Sequence, residues 1–482
     1  MLAVTMRSFP SRMRIGLLLP ALFLSGLPSL ATAQLRIAAW NITNWNVTNA
    51  TSPRANAVKT AVFGTFQGRS MSPDVLLLTE IINLTSYQTL VTVMNTAPGS
   101  PGDYAAYTFL TGPDTQSGCI YRTSKVVPLG PPVLVSAGGG APEPPRNTYR
   151  YDFYPIGYDD PSTVISAYNV HLKAGDGSGD KSRRLLEAQR IRLDANNLSE
   201  RAGIIVCGDF NIDSSSESSY QHFLANQVDN SGRFFDPINT PGSWSGSSTY
   251  KFVHTQDPWA SSPPGSGIGI DDRYDFILMD SGLLDGIGMH YVGNSNIPYS
   301  TTTWNDPNHS YRVWGNDGSS WYGGTSHMLT ITGNTMVGAT IAQALVDSTG
   351  GQTGHLPLFA DVRVPAVAAT DTATLDFGLI GPGFTFQLPI QVANMGDIGK
   401  WGGDGVADLT YSFNTTGSFF GPSGTYSDRA DDGPKTHLIT ASTDTPGRIN
   451  GTITITTNDP IHPTLTINCT ALVVGTVTPP GG

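Results

Sequence analysis

The feature that most constrains this chain is a series of short apolar runs, each stopping at a polar or ionisable residue. Residues 35–40 stop at Asn41, 75–78 at Thr79-Glu80, 164–170 at His171 and 203–207 at Gly208-Asp209, and 274–279 form a further run. Runs this short and this continuously apolar fit strands covered on both faces. On such scaffolds function collects at strand ends and in the loops beyond them. The residue types at those ends therefore decide the chemistry.

Helical spacing separates the runs. Arg184, Ala188, Ile191, Ala195 and Leu198 recur by four and three along one helix face, with Asp180 or Ser182 placed to cap its start. Residues 55–66 form a less regular helical stretch. Strands alternating with helices imply stacked sheets flanked by helices. From 232 to 351 the chain is loop-rich and carries Trp244, Trp259, Trp304, Trp314 and Trp321. These indoles could line a groove, but packing irregular chain against the sandwich is the favoured role.

After Val364 the pattern changes. Residues 374–378, 387–392, 448–457 and 464–473 alternate polar with apolar, with a turn at Asn458-Asp459-Pro460, as in an antiparallel sandwich. At 482 residues the chain exceeds the usual size of one domain. The expected units are 34–364 and 366–475, hinged at Pro365-Ala366.

The first 33 residues read as an export signal. Arg7, Arg12 and Arg14 flank a mostly apolar stretch over 15–27, and Ala31-Thr32-Ala33 supplies a small-residue cleavage pattern before Gln34. The apolar stretch falls short of the ~20 residues a spanning helix needs. A secreted, cell-surface or periplasmic bacterial protein is expected. Cys119, Cys207 and Cys469 are too few and too far apart for a disulfide framework or a zinc motif, and Cys207 inside its run reads as a small hydrophobe. The formal charge of −11 disfavours tight nonspecific binding to a phosphate backbone. It leaves room for an enzyme that meets a polyanion through a bound cation.

Hydrolysis of a phosphodiester needs a hard cation, an activated water and a group to steady the leaving oxygen. Carboxylate and amide oxygens serve the cation, and histidines handle protons. Trp40-Asn41, Thr79-Glu80, Asn169-Val170-His171, Gly208-Asp209-Phe210-Asn211, Tyr274-Asp275-Phe276-Ile277 and His355-Leu356-Pro357 provide these types in sequence order.

That ordered set, spanning about 35–364, resembles the endonuclease/exonuclease/phosphatase superfamily, which includes DNase I-like nucleases and bacterial sphingomyelinases. The resemblance implies an α+β fold, a four-layer α/β/β/α sandwich of two packed mixed sheets between helices. It implies Glu80, Asn41 and Asp209 around a divalent cation, Mg2+ or else Mn2+ or Ca2+. Asn41 would also lie beside the scissile phosphate, which Arg122 would approach. Asp209 and Asn211 would contact the attacking water, and His171 would steady or protonate phosphate oxygens. Asp275 would orient His355, the general base. Gly354 departs from the pattern, because the family usually has Asp before that histidine; the loss should weaken or reshape the metal site. Ser326-His327 is a competing match to the terminal motif, but lacks the run into a strand that follows His355. The stretch Tyr311–Gly318 resembles a loop of secreted bacterial relatives and reads equally as a compact turn or a second cation site. The tail resembles Ig-like modules of the abnormal-spindle/Hydin type, on 375–378 and 453–460, which implies spacing or surface attachment.

The expected function is secreted, metal-dependent hydrolysis of phosphodiesters, foremost in DNA or RNA, with no stable protein partner. The alternatives are a sphingomyelinase-like phospholipid phosphodiesterase and a surface-displayed binding protein that has lost turnover.

Overall fold

In the computed structural model, which describes residues 34–198, 201–259, 269–321 and 327–475, the apolar runs are strands. The expected export signal over 1–33 lies outside the described residues. The elements begin with β1 (Leu35–Trp45), α1 (Pro53–Phe63), β2 (Val75–Ile81), α2 (Leu84–Thr96), β3 (Tyr104–Ala106), β4 (Gln116–Arg122), β5 (Val126–Pro128), β6 (Val133–Ser136) and β7 (Thr148–Pro155). They continue with β8 (Ile165–His171), α3 (Ser178–Ala195), β9 (Gly203–Asp209), α4 (Ser218–Leu224), β10 (Phe234–Phe235), β11 (Asp275–Asp280), β12 (His290–Tyr291), β13 (Arg312–Val313), α5 (Gly338–Ser348) and β14 (Leu358–Arg363).

These strands build two mixed sheets. One runs β12-β14-β1-β2-β4-β3 with β13 also on β14; the other runs β10-β11-β9-β8-β7-β5 with β6 also on β7. Side-chain alternation shows how they stack. Ile165, Ala167, Ile205, Cys207, Ile277 and Met279 face the core shared with the first sheet. Their neighbours Tyr168, Val170, Ile204, Val206, Phe276 and Leu278 pack with Ala188 and Ile191 of α3 and Phe223 of α4. Helices α1, α2 and α5 bury residues in the core of the first sheet. The result is helices, sheet, sheet, helices. One polar side chain spans the inter-sheet core: Asn169 Nδ2 donates to Leu78 O at 2.8 Å and Gly118 O at 3.1 Å.

Helix α1 starts earlier than its spacing predicts, because Ser52 accepts from Ala55 N as its cap and Pro53 fits the first turn. Helix α3 starts at Ser178 with no side-chain cap. Asp180 sits in its first turn and pairs with Lys173 at 3.1 Å, while Leu198 falls past its end. Trp244 and Trp314 are fully buried, which bears out the packing role for two of the tryptophans. Within Tyr311–Gly318, β13 is followed by a compact turn: Asn316 accepts from Gly318 N and donates to Lys251 O and His254 O.

Beyond β14 lie β15 (Ala368–Thr370), β16 (Thr374–Ile380), β17 (Phe386–Asn394), α6 (Ile398–Gly405), β18 (Leu409–Thr415), β19 (Phe419–Phe420), β20 (Thr425–Asp428), β21 (Lys435–Ala441), β22 (Gly447–Thr457) and β23 (Thr464–Val473). They form a four-stranded sheet, β15-β17-β21-β19, and a five-stranded one, β16-β23-β22-β18-β20. The two enclose a core of their own, with Ile390, Val392 and Ile439 among the buried residues of one sheet and Ile453, Ile455 and Ile467 of the other. Pairing is not wholly antiparallel as expected, since β16 runs parallel to β23. Nor is 365–366 a free hinge: Tyr158 donates to Pro365 O at 2.7 Å, Ala366 is buried, and Val364 bonds Gly405 and Ala407. Trp401 of α6 is buried in the larger core, with Lys125 Nζ 4.3 Å from its ring.

Candidate active site

Parallel pairing of β1 with β2 and of β8 with β9 brings Asn41, Glu80, His171 and Asp209 to carboxyl ends of central strands. Antiparallel pairing supplies the rest. The start of β11 lies beside the end of β9, with Asp275 opposite Asp209. The start of β14 lies beside β1, with Leu358 opposite Ala39, and His355 just precedes it. Gly208 makes the β8–β9 approach possible: its φ is +125° and a Cβ there would meet Val170 O at 2.2 Å. Thr43, Asn44, Glu80 and Asn211 all adopt left-handed backbone, with φ of 53°, 43°, 62° and 51°. Such conformations cost non-glycine residues on the order of 1 kcal/mol or more each and gather at functional sites.

The side chains meet at one spot. Asn41 Nδ2 donates to Glu80 Oε1 at 2.9 Å and to Asp209 Oδ2 at 3.0 Å. His171 Nε2 lies 3.8 Å from Glu80 Oε1 and 3.4 Å from Asp209 Oδ2. His355 Nε2 lies 3.6 Å from Asp209 Oδ2, and its Nδ1 is 2.6 Å from Asp275 Oδ2. Asn211 donates from Nδ2 to Leu172 O and from its backbone N–H to Asp209 Oδ1. Asn41, His171, Asp209, Asp275 and His355 are buried, whereas the Glu80 side chain is 19% exposed and opens the cluster to solvent.

Burial controls the electrostatics. It holds the His171 ring well below the usual imidazole range, helped by Arg146 and His355. Burial also opposes charge on His355, but Asp275 and Asp209 outweigh it and raise this ring above the usual range. Burial raises the Asp209 carboxyl; His355 pulls the other way, and Asp275 adds to the rise. Burial thus keeps one histidine neutral, while two carboxylates favour the charged form of the other.

The donor set fits a hard cation. Glu80 Oε1 and Asp209 Oδ2 flank the Asn41 amide, at 2.9 and 3.0 Å from its Nδ2, and Asn41 could present its amide oxygen there after rotation of the group. Asp209, Asp275 and His355 also bring ligand atoms within 4.8 Å of one another. Asp275 and His355 are hydrogen-bonded to each other, however, so Glu80, Asp209 and Asn41 are the better oxygen ligands.

Arg122 is the exception among the expected residues. Because β4 runs antiparallel to β2, Arg122 lies at the start of β2, at the far end from Glu80. There it pairs with Asp74 and Asp103 at 3.0 Å each. Two cations flank the cluster: Arg146 bonds the carbonyls of His171 and Leu172 and pairs with Asp114 at 2.9 Å, and Arg54 bonds the carbonyls of Ile42 and Thr43. The competing histidine, His327, stacks on Trp321 at 4.0 Å; Ser326 lies outside the described residues.

Gly354 has no room for the carboxylate the resemblance calls for: a Cβ would meet Thr349 Cγ2 and Thr43 Oγ1, each at 2.7 Å. Its N–H donates to Asp257 Oδ1 at 3.0 Å. Asp257 is buried with Oδ2 unpaired, and burial pushes its carboxyl up to about 6. Neighbouring Gln256 Nε2 lies 3.2 Å from His355 Nε2. Arg146, Gln256 and Asp257 sit outside the apolar runs, so the strand-end pattern carries no signal for them.

No family model matches the sequence, and no curated protein matches it. Solved structures do. An endonuclease/exonuclease/phosphatase from Bacteroides vulgatus is 14% identical over 69% of this chain and 99% of its own, with a TM-score of 0.42. Another from Beutenbergia cavernae is 13% identical over 91% of this chain and 99% of its own, with a TM-score of 0.34. D. rerio TDP2 complexed with single-strand DNA product is 13% identical over 69% of this chain and 99% of its own, with a TM-score of 0.37. At such identities and scores the likeness carries nothing about activity.

Proposed function

We propose that the chain is an exported, divalent-cation-dependent phosphodiesterase whose substrate is DNA or RNA. The observation that carries this is the convergence of Glu80, Asn41, Asp209, His171 and the His355–Asp275 pair, each with a polar atom within 3.8 Å of another member. A cation held by Glu80, Asp209 and Asn41, Mg2+ or else Mn2+ or Ca2+, would supply neutralisation of phosphoryl oxygens.

The protein's own groups do the rest. Asp209 and Asn211 orient the attacking water. His355, in its neutral form, takes the water proton at Nε2, while Asp275 holds Nδ1–H and stabilises the resulting ring charge. Neutral His171 donates a hydrogen bond to a phosphate oxygen. The leaving oxygen departs opposite the water, as in-line displacement requires, and takes a proton from solvent, to which His355 later releases its own. The sequence of the first 33 residues supports export, and the tail sandwich is taken as an Ig-like spacer or attachment module. The lipid alternative loses its motive in part, because Trp244 and Trp314 are buried in the sandwich.

Plasmid nicking with and without EDTA tests the reading, with sphingomyelin hydrolysis run alongside. Chelator-sensitive cleavage of plasmid is expected. Cleavage unaffected by EDTA removes the cation, and activity on the lipid alone removes the nucleic acid.

A further inference from the structure

The segment Thr255-Gln256-Asp257 grips both members of the His355–Asp275 pair. Thr255 O accepts from Leu356 N at 2.8 Å, and Thr255 Oγ1 accepts from Asp275 N at 3.2 Å. Asp257 Oδ1 accepts from Gly354 N at 3.0 Å. The Gln256 backbone is bridged to Asp272 on one side and to His355 on the other. Asn316 secures the approach by donating to His254 O at 2.8 Å. None of these bonds uses the Gln256 side chain, so the fold of the segment does not depend on it.

That side chain instead faces His355 Nε2 at 3.2 Å, the same nitrogen that lies 3.6 Å from Asp209 Oδ2. Nδ1 is taken by Asp275. We propose that Gln256 is a positioning residue for His355, holding the reactive Nε2 aimed at the cluster. This rests on the phosphodiesterase reading for its catalytic meaning. A primary amide suits the place because it carries no charge and offers either a donor or an acceptor there. When Nε2 bears a lone pair, the Gln256 N–H donates to it. After Nε2 has taken the water proton, the amide turned over presents its carbonyl to the new N–H. Gln256 gains and loses no proton, which stays on His355 until it is returned.

Two variants test this. Gln256→Met keeps the length and removes the amide, while Gln256→Glu keeps the length and leaves only acceptor oxygens. Both are expected to fold with melting temperatures close to wild type. Gln256→Met should lower kcat about tenfold, the weight of one hydrogen bond, with KM unchanged. Gln256→Glu should lower kcat at least as far, since a carboxylate has no N–H to donate to the Nε2 lone pair. Nitrogen-15 NMR of histidine-labelled protein supplies a readout that needs no turnover. Gln256→Met should move the His355 Nε2 resonance; if that resonance does not move, the assignment is overturned whatever the activity does. If the resonance moves and the wild type cleaves no phosphodiester, the positioning role stands and the phosphodiesterase reading falls.

Discussion

The two β-sandwiches of this chain treat buried polar groups in opposite ways. In the C-terminal one, Tyr411 OH bonds both Asp428 Oδ2 and His437 Nε2 at 2.7 Å, and aromatic rings of Phe413 and Tyr426 surround the histidine. Among the described residues of that part, no buried side-chain polar atom lacks a partner and no non-glycine residue has positive φ. In the larger sandwich, His171 Nδ1, Asp257 Oδ2 and Asp275 Oδ1 are buried without partners, and left-handed residues cluster beside them. A Tyr–Asp–His contact that satisfies itself is a structural device. Unpaired atoms and strained backbone at one place mark where a ligand is expected.

Removing a carboxylate from the larger sandwich should break the comparison most visibly. Glu80→Gln is expected to cut turnover by about 10³-fold or more with little change in melting temperature, measured as plasmid cleavage across a Mg2+ titration. Near-wild-type turnover would mean that Glu80 holds no cation. Gly354→Asp, which would restore the carboxylate the resemblance calls for, should instead overpack the site. It is expected to cost about 1–3 kcal/mol by urea unfolding and to lower activity, because Thr43 and Thr349 occupy the space. Higher metal affinity in this variant would show that the site relaxes around the added group.

The third prediction is of comparable energy with no catalytic counterpart. Tyr411→Phe leaves Asp428 and His437 without their shared hydroxyl, at about 1–3 kcal/mol of stability, while kcat stays at the wild-type value. A fall in kcat would tie the tail to the reaction. The smallest effect concerns Glu187 of α3, whose carboxyl burial pushes up to about 8 although Thr148 donates to it. The folded protein then retains a proton the unfolded chain gives up near pH 4.5. This contribution to stability is full below pH 4.5 and is lost as pH rises through 8. Glu187→Gln should therefore raise the melting temperature at pH 8.5 by on the order of 3–5 °C and leave it unchanged at pH 4. Equal gains at both pH values would remove the titration from the account.

What the sequence made legible follows from the physics of the runs. Consecutive apolar residues announce strands covered on both faces, so Asn41, Glu80, His171 and Asp209 could be read as their ends. Asp275 and His355 were harder, because one opens a strand and the other precedes one, and both reach the site through antiparallel pairing. Pairing direction has no signature in a run of apolar residues. The same blindness misplaced Arg122, which an antiparallel β4 carries to the wrong end of the sheet. Gln256 and Asp257 lie in irregular chain, where neither period nor composition distinguishes a residue that touches a histidine from one that faces water. The tail sandwich was legible as alternation, but its parallel β16–β23 pair was not, for the same reason.

Asn169 gives the active site a mechanical aspect. Its amide fastens one sheet to the other in the residue pair just before His171, and the reacting groups are divided between those two sheets. If the phosphodiesterase reading holds, turnover becomes a gauge of sheet separation. A methylene added or removed between the layers, far from any reacting atom, is then expected to lower turnover before it lowers stability.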